Sequence, residues 1–187
     1  MPACDGKLFK KFKRGSAFVE TGAYLGEGVQ AALRAGFDKI WTVELSESQY
    51  KHVAKKFCDN EKVVCLFGDS RDLLGEMLLK CRDMDPLIWL DAHGGQSNTG
   101  DITMQDMIPL ECGIINNVME KRSFTILIDD FGYSNDKTLL EENWIVKEVR
   151  RIWPDAIITR EDGCGDHRGG YRTMPGFVLA VRVENKI

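Results

Sequence analysis

The stretch Phe18–Leu33, "FVETGAYLGEGVQAAL", decides how the rest of the chain is read. An apolar run, a glycine-rich bend and an amphipathic stretch follow one another, the order of a strand, a turn and a helix. Its glycines, Gly22, Gly26 and Gly28, are spaced G-x-x-x-G-x-G, whereas the dinucleotide fingerprint is G-x-G-x-x-G. The bend thus has the setting of a nucleotide-binding turn without the spacing that cradles a pyrophosphate.

Outward from this stretch, apolar runs and helical patterns alternate. Strands are predicted over Ala17–Glu20, Lys39–Glu44, Val63–Phe67, Leu87–Leu90, Thr125–Ile128, Ala156–Thr159 and Phe177–Val183. Helical periodicity fills Gly26–Ala35, Ser48–Phe57, Ser70–Cys81, Met104–Lys121 and Lys137–Ile152. The early strands are almost continuously apolar, as strands covered on both faces are. Crossovers of this length imply right-handed βαβ units and a mostly parallel sheet. No helical pattern lies between the last two strands, so they read as an antiparallel hairpin. The expected fold is α/β: a doubly wound, Rossmann-like, seven-stranded sheet with an antiparallel last strand.

The 187 residues fit one domain, 1–187, without a linker or repeat. A net charge of −4 and the lack of a long basic block give no reason to expect nucleic acid. The run "KLFKKFKR" (Lys7–Arg14) reads as a solvated N-terminus rather than a binding patch. Six cysteines are scattered without a C-x-x-C pair, which argues against zinc and against a disulfide scaffold. With no secretory signal pattern and no membrane-length apolar run, a cytoplasmic, reduced protein is expected.

In a doubly wound sheet the ligand lies outside the carboxyl ends of the strands. Acids end the five leading strands or open the loops after them: Glu20, Glu44, Asp69, Asp91, and Asp129 with Asp130. Such a rim repels the phosphates of a dinucleotide. It suits a ligand with a positive centre and vicinal hydroxyls, the profile of S-adenosylmethionine. Glu44, one βαβ step after the first turn, can accept both ribose hydroxyl hydrogens. Glu20 can face the ammonium end, and Gly22 and Gly26 let the backbone come close to the ligand.

"FVETGAYLGEG" resembles the first motif of class I S-adenosylmethionine-dependent methyltransferases, and "GAYLG" is similar to the form in catechol-type O-methyltransferases. "VELS" (Val43–Ser46) resembles their ribose-binding strand end, and "GDSRDLL" (Gly68–Leu74) their adenine-side turn, which implies that Asp69, Ser70 and Arg71 lie near the adenine. "LIWLDAH" and "TILIDDFG" resemble segments that carry acids in the metal-dependent members, and the "DD" segment is also similar to macrocin-type sugar O-methyltransferases. The likeness covers roughly residues 17–133, in the family's order. Ser70 also has the chemistry of a helix cap. Tyr24 either covers the cofactor or packs locally.

Asp91, Asp129 and Asp130 form a candidate Mg²⁺ site, since oxygen-only donors suit a hard cation. Such a cation would lower the pKa of a bound acceptor hydroxyl. His93 is the candidate base or metal ligand, or else a hydrogen-bonded loop histidine. The catechol-type lysine base has no counterpart, because Gly94 occupies the best-matching position. His52 reads as surface, and His167 as part of the hairpin loop.

About 16 residues precede the first strand, too few for the N-terminal helices that cap substrate in the catechol-type enzymes. The walls are then expected from His93–Thr103, from the loop carrying Arg168, Tyr171 and Arg172, or from a second subunit of a homodimer. The function expected is methyl transfer to a hydroxyl of a small metabolite or sugar. The alternatives are a non-catalytic S-adenosylmethionine-binding protein of the same fold and a nucleotide-dependent oxidoreductase.

Overall fold

The computed structural model describes residues 6–92, 104–129, 131, 140, 143–162 and 177–185. Seven strands form one sheet: β1 (Ala17–Thr21), β2 (Lys39–Glu44), β3 (Val63–Phe67), β4 (Leu87–Leu90), β5 (Phe124–Ile128), β6 (Ile157–Asp162) and β7 (Phe177–Val183). Their order is β3-β2-β1-β4-β5-β7-β6, parallel except for β7, which runs antiparallel to both β5 and β6. The doubly wound sheet with its antiparallel seventh strand is therefore present as expected. The order reverses between β1 and β4, which pair Phe18 with Leu87 and Thr21 with Leu90. That switch point places the carboxyl ends of β1 and β4 side by side.

Among the described residues, six α-helices cover the sheet: α1 (Lys7–Phe12), α2 (Glu27–Arg34), α3 (Glu47–Lys56), α4 (Ser70–Cys81), α5 (Met104–Val118) and α6 (Trp144–Ile152). Alternation along the strands divides the core into two layers. Phe18, Ile40, Leu87, Trp89 and Leu127 pack with Phe9, Val29, Ala32 and Val53 of α1–α3. On the opposite face Val19, Val43, Ile88, Leu90 and Ile126 meet Leu74, Leu78, Ile108, Ile115 and Val149 of α4–α6.

The N-terminus departs from expectation. Residues 7–12 form a helix rather than a solvated tail. Leu8, Phe9 and Phe12 fall on one side of it, and Phe9 is wholly buried, its ring centroid 4.8 Å from that of Phe18 and 5.1 Å from that of Trp89. Burial of an aromatic ring outweighs the lysine-rich composition, because the lysine ammonium groups stay in water while the apolar stripe docks. Among the described residues, Cys58, Cys65, Cys81 and Cys112 are free thiols, and no helix is long and apolar enough to cross a membrane. His52 is exposed on α3, as expected.

Candidate functional site

The three glycines of the opening turn serve different ends. Gly22 follows β1 with φ 82°, and a Cβ there would lie 2.5 Å from the Asp91 carbonyl oxygen. The first turn and the turn after β4 thus touch through backbone, which only glycine permits. Gly26 starts α2, its N–H donating to the Ala23 carbonyl at 2.7 Å. Gly28, inside the first turn of α2, leaves the space that the Glu20 carboxyl fills, since a Cβ would come within 1.7 Å of its Oε1. The three glycines thus meet the Asp91 backbone, the Phe57 ring and the Glu20 carboxyl, and their spacing answers to protein packing.

Glu20 is accordingly a buried side chain, 1% exposed. Its Oε2 accepts a hydrogen bond from the Thr42 hydroxyl at 2.5 Å. Burial pushes its pKa up to about 8, against the lowering effect of that bond and with a further rise from Glu44. At neutral pH Glu20 is mostly protonated. Its neutral carboxyl lies beneath the turn, packed against α2.

Glu44 has a different environment. Its Oε2 accepts from the Tyr24 amide and its Oε1 from the Ser46 amide, both at 2.8 Å. Two main-chain donors from two turns fix the carboxylate's orientation, and each oxygen keeps a second lone pair for another donor. Tyr24 takes a left-handed backbone at φ 47°, which directs its N–H to Glu44, and its side chain is half exposed. Leu25, Leu45 and Phe67 are exposed around the same strand ends, and the Phe67 ring lies 5.4 Å from Tyr50. Apolar surface flanking a fixed carboxylate is the composition of a nucleoside site.

After β3, the cap of α4 is Asp69 rather than Ser70. The Asp69 Oδ1 accepts from the Arg71 amide at 2.9 Å, and its Oδ2 pairs with the Arg71 guanidinium at 2.5 Å. Asp69 holds the extended backbone that a cap requires, while Ser70 is already the first helical residue. The Arg71 guanidinium holds the Asp69 carboxyl below the usual carboxylate range. Ser70 is buried, and its hydroxyl has no hydrogen-bond partner.

Asp91 and Asp129 stand at the ends of neighbouring strands β4 and β5. The Asp91 amide donates to the Thr21 carbonyl at 3.1 Å, and the Asp129 amide to the Leu90 carbonyl at 3.1 Å, so each acid continues the ladder by one step. Asp130, His93, Arg168, Tyr171 and Arg172 lie outside the described residues, as do residues 93–103. Among the described residues no group of three or more metal-ligating side chains gathers. A shallow cavity between α2 and α3, with Arg34, Lys56 and Phe57 in its walls, includes none of the strand-end acids.

One buried acid escapes the sequence reading. Glu111 of α5 is 0% exposed. It lies near the Ser70 and Thr21 hydroxyls and the Asp69 carboxylate, yet no aligned hydrogen bond reaches either of its oxygens. Burial raises its pKa to about 7, the two hydroxyls lower it, and Asp69 adds to the rise. The available signal was a charge inside the apolar run "MIPLECGII", on the stripe shared by Ile108, Cys112 and Ile115.

No protein-family profile and no curated protein sequence matches the chain. Solved structures do. An O-methyltransferase from Bacillus cereus, solved in complex with SAH, is similar at TM-score 0.58 and 16% identity, over 89% of this chain and 74% of that one. A proposed rRNA methylase from Clostridium thermocellum is similar at TM-score 0.63 and 12% identity, over 98% of both chains. A spermidine synthase from Thermotoga maritima reaches TM-score 0.59 at 10% identity, over 98% of this chain and 58% of that one. These identities carry the architecture and leave the chemistry to be argued from the residues. The chain has the class I S-adenosylmethionine-dependent methyltransferase fold.

Proposed function

We propose that the chain transfers a methyl group from S-adenosylmethionine to a hydroxyl of a small acceptor. The observation that carries this reading is Glu44: a carboxylate held by the Tyr24 and Ser46 amides, with lone pairs left to accept from a ribose diol. The half-exposed Tyr24 and the neighbouring Leu45 and Phe67 offer apolar area to a nucleoside. Asp69, Ser70 and Arg71 stand at the end of the third strand, where the adenine would lie. Glu20, buried against Gly28 and bonded to Thr42, would support the turn rather than contact the donor.

Asp91 and Asp129, with Asp130, would hold a hard divalent cation. The described part of the donor set fits it, being carboxylate oxygen on adjacent strand ends. When bound, that ion would acidify an acceptor hydroxyl and fix it in place. The Asp91 carboxylate orients the acceptor, and His93 is the base proposed to take its proton. A net charge of −4 favours a small metabolite or sugar over nucleic acid.

Calorimetry with S-adenosylhomocysteine and with NAD tests the reading. Binding of the first but not the second is expected, with an affinity loss of roughly 10–100-fold in Glu44→Ala, as for losing hydrogen bonds to a charged group. Methyl transfer from labelled donor to a metabolite pool should depend on Asp91. Binding of NAD without S-adenosylhomocysteine would refute the proposal.

A further inference from the structure

The two edges of the sheet are built differently. Among the described residues, β6 pairs with β7 alone and β3 with β2 alone. β6 ends in Arg160, Glu161 and Asp162, and the Lys11 ammonium pairs with the Glu161 carboxylate. Charges of this kind blunt an edge against further pairing. β3 reads VVCLF, with neither a charge nor a proline, and its Val64 and Phe67 are 42% and 52% exposed. At its ends the Lys62 carbonyl accepts from the Ile40 amide at 2.8 Å, and the Gly68 amide donates to the Glu44 carbonyl at 3.0 Å. The even-numbered residues therefore turn their backbone groups towards β2, and in a parallel ladder the residues between turn theirs outward. Cys65 and Phe67 present both N–H and C=O at the edge. Val63 presents its C=O, its amide being bonded to the Asn60 carbonyl at 2.9 Å.

We infer that this edge is the interface of a homodimer, in which β3 pairs antiparallel with β3 of a second copy. A two-fold axis normal to the sheet sets one residue opposite its own copy. Centred on Cys65, it aligns the whole strand: Val63 faces the partner's Phe67, and Val64 faces the partner's Leu66. The outward donors then all find acceptors. Each Cys65 N–H donates to the Cys65 C=O of the other copy, and each Phe67 N–H to the Val63 C=O of the other copy. Within the paired segment no charge meets its like, and the exposed Val64 and Phe67 side chains gain apolar neighbours across the strands. A strand carrying charges or proline would match this neutral strip less well. Pairing uses up β3, and the charged β6 edge does not extend it, so assembly stops at two. A five-residue strand covers less than the roughly 800 Å² each partner gives to a standard interface, so the dimer is of the weak, concentration-dependent class.

Sedimentation velocity and amide hydrogen exchange on the full chain, from low to high micromolar concentration, test the pairing. Dimer should build up with concentration, and the Cys65 and Phe67 amides should slow with it by about fivefold or more. The Val64 and Leu66 amides, directed at β2, should not change, which gives an alternating pattern specific to this edge. Val64→Lys changes an exposed side chain and should fold as the native chain does. It sets an ammonium group from each copy on one face of the paired strip and should weaken association by at least about tenfold. Phe67 is left native because it flanks the proposed nucleoside site. A chain that stays monomeric throughout the range overturns the inference. So does a dimer whose Cys65 and Phe67 amides exchange as fast as in the monomer, or one that Val64→Lys leaves intact. No S-adenosylhomocysteine is added, so the result stands whichever way the proposed function falls.

Discussion

The two faces of β1 carry the clearest contrast in the molecule. Glu20 and Thr21 are adjacent and point to opposite sides of the sheet. Under the first face a buried acid is fully accommodated: Glu20 is bonded to Thr42 and fills the space that Gly28 vacates. Under the second, Glu111 approaches Thr21 and Ser70 without an aligned bond to either. Both acids are buried and both have raised pKa values, so burial alone does not tell them apart. The state of their partners does. The Glu20 carboxyl is bonded by Thr42, whereas neither Glu111 oxygen has an aligned partner.

If the layer around Phe9 and Gly28 is purely structural, damage there should lower stability without altering ligand affinity of the folded fraction. Phe9→Ala is the severest case, with a loss of roughly 3–5 kcal/mol expected for a fully buried phenylalanine, read from urea unfolding. A change in S-adenosylhomocysteine affinity measured on the folded fraction would break the contrast. Gly28→Ala drives a methyl group into the Glu20 carboxyl and should cost about 1–3 kcal/mol, the range for overpacking. Combining it with Glu20→Ala should recover part of that loss, and strict additivity would show that the two sites do not meet.

The remaining effect concerns pH and sharpens the contrast within a single unit, pH 7 to 8, worth on the order of 1 kcal/mol. Both acids have ordinary values near 4.5, raised to about 8 for Glu20 and about 7 for Glu111. Above pH 4.5 the unfolded chain ionises while the folded chain keeps the proton. Stability should therefore fall as pH rises from about 4.5 to 8, by on the order of 1 kcal/mol per pH unit for each group still protonated, and then level off. Glu20→Gln should flatten the portion between pH 7 and 8, where Glu111 is already ionised. A native profile without slope in that window would place the Glu20 value nearer the ordinary range.

Much of this was legible in the sequence, for reasons that differ from element to element. Strands β2, β3, β4 and β7 match the expected bounds because short apolar-rich runs between turn residues leave little freedom. The helix α1 was hidden by composition: four lysines among eight residues mask the spacing of Leu8, Phe9 and Phe12. The cap of α4 was misplaced because Asp69 and Ser70 are both capping residues, and only the backbone angle chooses between them. Glu44 was legible from its place at a strand end, but its two amide partners depend on how the first and second turns fold back together. Glu111 was missed because the search followed strand ends, and this buried acid sits on a helix. His93 and Asp130 lie outside the described residues, and their roles stay as proposed.

The docking of Phe9 has an optical consequence. Trp89 is 2% exposed, its indole edge-on to Phe9 and its Nε1 hydrogen without an acceptor. An indole so enclosed emits towards the blue. Detachment of the first helix would admit water to the ring and move the emission red, so intrinsic fluorescence should follow fraying at the start of the chain before the sheet itself melts.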